Sequence, residues 1–475
     1  MDSGREPSSF RDPSGALFYS EGIIYRRINK IYEKHYDYLI NSGLYDKLVS
    51  SEMMISHKEI EDHEQEKRII ESGKENDRLK DSQLYKIIKP EKIPFISYPY
   101  EWSFTELKDA ALLTLKIQKI AMEFGMTLKD CSGYNIQFKN GKPIFIDSLS
   151  FEIYEKDQIW KGYKQFCQHF LAPLALMNYK DVRLGQLLRL HLDGIPLDLT
   201  STILPMKTRT NFSILTHIHA HAKSQKHYED TKKTKIKRIR LSKNSFLGII
   251  ESLHSAIKKQ TLNMKQTEWG DYYSDTNYSQ ESFEHKKKLV SELLEEKKPT
   301  TVWDLGGNTG IFSRLASSKG IPTISFDIDP LAIEKNYLES KKNNEQRILP
   351  LLLDLTNPSS SIGWDNDERM SLTQRGPAEM ILALALLHHL AISNNIPFEK
   401  ISKFLFKITN SFLIIEFIPK EDSQVQRLLV SREDIFKNYT VEYFEKEFSK
   451  YFKIQKILPI KGTHRVLYLM EKKHE

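Results

Sequence analysis

Six residues in the last third of the chain have types and spacings that point to one chemistry. Asp304-Leu-Gly306-Gly307-Asn-Thr-Gly310 places an acid before three glycines, Asp327 follows 23 residues later, and Asp354 comes after the next apolar run. Glycines at such a turn let the backbone approach a ligand with no Cβ in the way. A carboxylate at the end of the next strand accepts both hydroxyls of a ribose. Phosphate binding does not fit. A dinucleotide fingerprint would need glycines at 306, 308 and 311, but Asn308 and Ile311 stand at the last two, and the Lys-Ser/Thr ending of a P-loop is missing. Three acids without a basic clamp suit a nucleoside ligand that is not an anion.

These acids need a particular scaffold. From about residue 270 onward, apolar strands and helical stretches alternate, which predicts a parallel sheet with crossover helices. Strands are expected at 300–305, 322–327, 348–355, 379–387 and 411–418, and helices at 310–318, 331–342, 398–408 and 441–451. The segments 452–457 and 466–470 are spaced for an antiparallel hairpin at one edge. Ligands of such sheets bind outside the carboxyl ends of the strands, where all three acids fall. Asp329, just before Pro330, reads as a helix N-cap instead of a ligand.

The whole chain has 475 residues, 40% hydrophobic and 28% charged, enough for two or three domains with sizeable cores. Its two cysteines, Cys131 and Cys167, exclude a disulfide framework and a multi-cysteine zinc module. No apolar run approaches the roughly 18 residues of a membrane span, and the first residues lack a secretory apolar stretch, so a soluble cytoplasmic protein is expected. The formal charge of +7 is uneven: residues 201–265 hold 14 Lys and Arg against three acids. Three regions are predicted: a mixed α/β domain at 1–200, a basic linker at 201–265, and the alternating α/β domain at 266–475. The densest basic run, 232–240, is a candidate contact for a nucleic acid or an anionic membrane face, with a solvated linker as the plain alternative. His217, His219 and His221 would form a metal site only if they shared one strand face.

With its acids in this order, the C-terminal region resembles the class I S-adenosylmethionine-dependent methyltransferases. The resemblance implies a Rossmann-like, mostly parallel, seven-stranded sheet. It also implies S-adenosylmethionine as cofactor, held by Asp304, Gly306, Gly307, Gly310, Asp327 and Asp354: Asp304 organises the loop around the methionine moiety, Asp327 holds the ribose, and Asp354 meets the adenine amino group. Methyl transfer is an in-line displacement that mainly needs alignment, and a base only when the acceptor must lose a proton. His388 and His389, at the end of the fourth strand, and Glu416, on the fifth, are the candidates. The alternatives are that the histidines cap the strand and that Glu416 is buried and paired. Relatives that methylate adenine amino or glutamine amide groups resemble one another in an Asn/Asp-Pro-Pro-aromatic signature at this strand end. Here Ala385-Leu-Leu-His-His stands instead, pointing to a small-molecule or glycan-type acceptor. Upstream, the aromatic stretch 268–278 reads as a lid or as a docked linker.

In the N-terminal region, Asp130 and Asn135 lie five residues apart, Asp147 twelve further on, and Asn140-Gly141 between them signals a hairpin. Residues 93–102 read as a strand running into a hinge, and 104–124 as a long helix. The arrangement resembles the catalytic loop and metal-binding Asp of protein-kinase-like and aminoglycoside-phosphotransferase-like folds. It implies a kinase-like α/β domain in which Asp130 would accept a hydroxyl proton while Asn135 and Asp147 hold magnesium on ATP. The sequence departs from that pattern: Leu128-Lys129 precedes the first acid, Ser148-Leu149 follows the last, and there is no glycine-rich loop. Phosphotransfer, alone or beside methyl transfer, is therefore one alternative, and a noncatalytic substrate-binding module is another. Over nearly its full length the chain resembles bacterial proteins related to a rhizobial nodulation host-specificity protein.

Overall fold

The computed structural model describes residues 4–72, 83–223, 241–262, 279–430 and 433–474. The basic run 232–240 and the aromatic stretch 268–278 lie outside the described residues. The chain divides into two compact units. The first is Met1–Asn263 together with Ser361–Arg369, and the second is Met264–Ser360 with Met370–Glu475.

The first unit opens with an antiparallel sheet of five strands: β1 (Gly4–Arg5), β2 (Gly15–Ser20), β3 (Ile23–Asn29), β4 (His57–Glu59) and β5 (Leu84–Pro90), ordered β1-β2-β3-β5-β4. The expected strand at 93–102 is absent; the strand is Leu84–Pro90 instead. Pro94 and Pro99 interrupt the later segment and supply no ladder N–H. The helix Phe104–Glu123 follows, started by a reciprocal cap between Ser103 and Glu106. Next, β6 (Met126–Leu128) pairs with β9 (Phe151–Ile153), and between them β7 (Ile136–Lys139) and β8 (Lys142–Phe145) form the hairpin turned by Asn140-Gly141. Both turn residues have positive φ, 52° and 72°, as a two-residue hairpin turn requires.

The expected linker at 201–265 is not one in its described parts. Residues 212–223 and Lys243–Lys258 are helical, because Ile214, Ile218 and Ala222, and then Phe246, Ile250, Leu253 and Ile257, recur at helical spacing and are buried. His217 and His219 thus sit on a helix and bond to core hydroxyls. His217 meets Tyr163 and Ser252, while His219 meets Ser201 and Thr208. No group of three or more His, Cys, Asp or Glu able to hold a metal occurs among the described residues. Nor is any helix there long and apolar enough to cross a membrane.

The second unit is a mixed, mostly parallel sheet of β10 (Val302–Leu305), β11 (Thr323–Asp327), β12 (Ile348–Leu352), β13 (Ala378–Ala383), β14 (Thr409–Phe417), β15 (Phe452–Pro459) and β16 (Val466–Lys472). Its order is β12-β11-β10-β13-β14-β16-β15, parallel from β12 to β14 and antiparallel through β16 and β15. The chain moves outward from β10 in one direction and then resumes on its other side at β13. That reversal opens a crevice at the carboxyl ends of β10 and β13. The core beneath joins Val302, Leu382, Ile414 and Leu469 of the sheet to Val290, Leu293 and Leu294 of the helix Gln280–Lys297.

Candidate active site

At this crevice a cavity of about 380 Å³ is lined from five directions. β10 and the turn after it supply Asp304, Gly306 and Asn308; β11 supplies Asp327; the segment after β12 supplies Asp354; the loop after β13 supplies Ala385 and His389; and the helix Gln280–Lys297 supplies Phe283 and Lys286.

Asp304 is buried, and its Oδ2 accepts the Ser313 hydroxyl at 2.6 Å. Asp327 accepts two backbone N–H groups, Asn308 on Oδ2 and Asp329 on Oδ1, each at 2.8 Å. These bonds fix the carboxylate and leave each oxygen a second lone pair toward the cavity. Burial is the main reason both acids titrate high. Each is raised to about 6 from an ordinary 3.8, against the opposing pull of the Ser313 hydroxyl on one and the two N–H donors on the other. Asp354 also lines the cavity, with Oδ1 turned back onto the N–H and hydroxyl of Thr356. Asp329 caps the helix Pro330–Asn343, accepting from Leu331 and Ala332.

The glycines divide between two tasks. Gly306 and Gly307 line the cavity, and Gly306 holds φ +76°. Gly310, expected at the cofactor, is not among the lining residues. Its φ is +84° and a Cβ there would lie 2.5 Å from the Asn336 amide, so this glycine serves close packing of helix against helix.

The candidates for catalysis separate as well. β13 stops at Ala383, four residues before the expected end, because Ala385 takes φ +50° and its N–H turns to Glu416 Oε2 at 2.7 Å. The same turn brings His389 to the cavity, whereas His388 is buried and not among the lining residues. Burial lowers His389 to about 4 and holds His388 well below its ordinary value, where the neighbouring His389 adds to the effect; both are neutral near pH 7. Glu416 is fully buried, and its Oε2 also accepts Lys286 Nζ at 2.6 Å. Arg465 lies 3.8 Å from Oε1 while pairing with Asp422 at 2.7 and 3.0 Å. Glu416 is thus held in a buried ion pair and is not among the residues that line the cavity.

Lys286 was not among the sequence candidates. The available signal was a lysine on the apolar stripe Phe283, Lys286, Val290, Leu293, spaced as one helix face.

In the first unit, Asp130, Asn135 and Asp147 do converge. Ser150 bonds to both Asp147 Oδ2, at 2.6 Å, and the Asn135 amide, at 3.1 Å. Asp147 Oδ1 meets Arg26 Nη1 at 2.5 Å and accepts the Leu149 N–H at 2.9 Å. Burial pushes Asp147 up, but Arg26, Ser150 and the Leu149 N–H together hold it below its ordinary range. Asp130 moves the other way, raised by burial and by the charge of Asp147. Arg26 also lies 3.4 Å from Asp12, and Lys129 lies 3.9 Å from it.

No family model matches the chain. It is 33% identical over 479 residues to the nodulation protein NoeA of Rhizobium meliloti (strain 1021), covering 99% of this chain and 96% of that protein. Among solved structures it is similar to magnesium protoporphyrin IX methyltransferase ChlM from Synechocystis PCC 6803 with bound SAM, at 13% identity over 44% of this chain and 87% of that one, TM-score 0.30. It is also similar to the N-methyltransferase NodS from Bradyrhizobium japonicum WM9, at 12% identity over 41% and 99%, TM-score 0.31.

Removing the Lys286 ammonium strips the cation from a buried carboxylate. Lys286→Met is expected to lower unfolding free energy by about 3–5 kcal/mol, read from urea denaturation. Adding Glu416→Gln should recover part of that loss, since the amide oxygen still accepts the Ala385 N–H without carrying a charge. A cost below about 1 kcal/mol for the single variant would show that the pair does not anchor the site.

Proposed function

The chain belongs to the family of the nodulation protein NoeA, and from that premise we propose that its second unit is an S-adenosylmethionine-dependent methyltransferase. The observation that carries the reading is the meeting of Asp304, Asp327 and Asp354 with the Gly306-Gly307 turn in one cavity. Two acids with raised pKa values favour a ligand that brings positive charge, and a sulfonium nucleoside does so. Asp327 would take the ribose hydroxyls on its remaining lone pairs, Asp354 the adenine amino group, and the turn after Asp304 the methionine moiety. When bound, this cofactor supplies a methyl group activated on sulfur; the chain supplies alignment and exclusion of water.

His389 is the group of this chain placed to receive a proton from the acceptor, since it faces the cavity and is neutral at pH 7. Around it stand Leu386, Leu390, Ser393 and Asn394, uncharged hydrogen-bonding groups among apolar ones. That set suits an uncharged, hydroxyl-bearing acceptor of small-molecule or glycan type. The methyltransferase region runs from about residue 266 onward, preceded by a region whose role is recruitment of the acceptor.

A second reading, magnesium-dependent phosphotransfer from ATP in the first unit, is favoured by the convergence of Asp130, Asn135 and Asp147. Two carboxylates and an amide oxygen are suitable ligands for magnesium. Against it, Arg26 and Ser150 already engage Asp147.

Calorimetric titration with S-adenosylmethionine and S-adenosylhomocysteine is expected to show binding that Asp327→Ala weakens by roughly ten- to a hundredfold, as lost hydrogen bonds to a charged group imply. Absence of binding to folded wild-type protein would remove the methyltransferase reading. The affinity should also rise with pH through about 6, where both acids ionise. The sign for the free protein is opposite. Acids whose folded pKa is raised above 3.8 favour the folded state most below that value, and this contribution is lost as pH rises through about 6. Ligand-free melting temperature should fall across that window while the ligand-induced increase grows. For the first unit, ATP binding that requires magnesium and disappears in Asp147→Ala supports phosphotransfer; ATP binding indifferent to both rejects it.

A further inference from the structure

The segment 206–223 of the first unit presents three large apolar side chains, Met206, Phe212 and Leu215, outward. Asn211 caps the helix that starts at Phe212, accepting the N–H groups of Ser213 and Ile214. From there the inner face is fixed by Ile214, Ile218 and Ala222 in the core and by the hydrogen bonds of His217 and His219 to four hydroxyls. With the inner positions so occupied, Phe212 and Leu215, one turn apart, face away from the core. Phe212 is 75% exposed, Leu215 39%, and Met206, six residues before Phe212, 71%. Lys207 and Arg209 stand exposed between Met206 and Phe212, and Lys223 ends the outer face. The surrounding stretch, 201–265, carries a net charge of +11 in sequence.

Several large apolar side chains exposed on one short segment suit an apolar partner, and the cations beside them suit an anionic one. A bilayer with anionic headgroups provides both in layers. Phe, Met and Leu enter the acyl boundary, while Lys and Arg keep their charges at headgroup level. We propose that Met206, Lys207, Arg209, Phe212 and Leu215 form a membrane-docking surface for an anionic lipid bilayer. A nucleic acid would use the cations, but two of the three exposed apolar side chains are aliphatic and offer no stacking face for a base.

The test is co-flotation of the full-length protein with vesicles of phosphatidylcholine alone and of phosphatidylcholine mixed with phosphatidylglycerol. Binding is expected to the mixed vesicles and not to phosphatidylcholine alone, and to weaken as salt is raised. Lys207→Ala with Arg209→Ala should lower it by roughly twenty-five-fold, about fivefold per cation. Met206→Ser with Phe212→Ser, which leaves the charge unchanged, should lower it by roughly tenfold or more. Because these side chains are exposed, the variants should keep the wild-type urea transition, which is measured alongside. Vesicle binding indifferent to the serine pair would assign the charge effect to the basic stretch alone and overturn the proposal. So would absence of vesicle binding, or binding to a single-stranded oligonucleotide that vesicles fail to displace.

Discussion

The carboxylate of Glu416 receives the Lys286 ammonium and the Ala385 N–H on one oxygen and faces Arg465 with the other, all out of water. Three separate pieces of the second unit meet on it: the helix Gln280–Lys297, the end of β13 and the start of β16. Buried charges are costly unless their partners are in place, so none of these pieces can shift without exposing an imbalance of several kcal/mol. The local consequence is backbone strain at a useful point. A non-glycine residue at φ +50° is disfavoured, and here the N–H it directs to Glu416 offsets the cost. The resulting turn ends β13 early and sends His389 to the cavity and His388 beneath it.

The electrostatics of the cavity follow from the same arrangement. Burial raises both Asp304 and Asp327; the charge of Asp327 adds to the rise at Asp304, and that of Asp329 to the rise at Asp327. Lys286 opposes this at Asp304, but burial and Arg465 lower its own pKa in turn, while Glu416 supports its charged form. The site thus has one cation already committed to a carboxylate and two acids short of positive charge. A ligand with a fixed positive charge beside a neutral nucleoside suits that condition; an anionic nucleotide would meet uncompensated acids. His389, neutral near pH 7, adds no positive charge to the cavity it lines.

Much of this was legible in the chain itself, for definable reasons. Parallel strands buried on both faces are continuous apolar runs, so β10, β11 and β12 stand out, and an acid at the end of each breaks the run where the ligand side begins. The hairpin at Asn140-Gly141 and the cap at Asp329 are local chemistry, which needs no tertiary context. What was not legible depends on distant partners. Gly310 looks like a ligand glycine until Asn336 is packed against it. Lys286 looks like one of many surface lysines until Glu416, 130 positions away, meets it. The stretch 201–265 looks like a linker because its charge dominates its composition, while the apolar positions that fold it are few and regularly spaced.

The division into units has a consequence for assigning their roles. Residues 361–369 fall between β12 and β13 in sequence but belong to the first unit, where Glu368 pairs with Arg11 and the Arg369 guanidinium lies 4.1 Å from the centre of the Tyr134 ring. Glu368 is buried and also accepts the Trp364 N–H, so its carboxylate depends on Arg11 for charge compensation. Cutting the chain near residue 263 would leave this nine-residue excursion without Arg11 and Tyr134, the partners that hold it in place. It would also disturb the segment that starts at Asp354, seven residues before the excursion. A truncated second unit that fails to bind cofactor would therefore say little about the first unit's part in catalysis. Substitution at Asp147 or Arg26 in the intact chain leaves the excursion's partners in place, and separates a catalytic from a supporting role for the first unit more cleanly than deletion can.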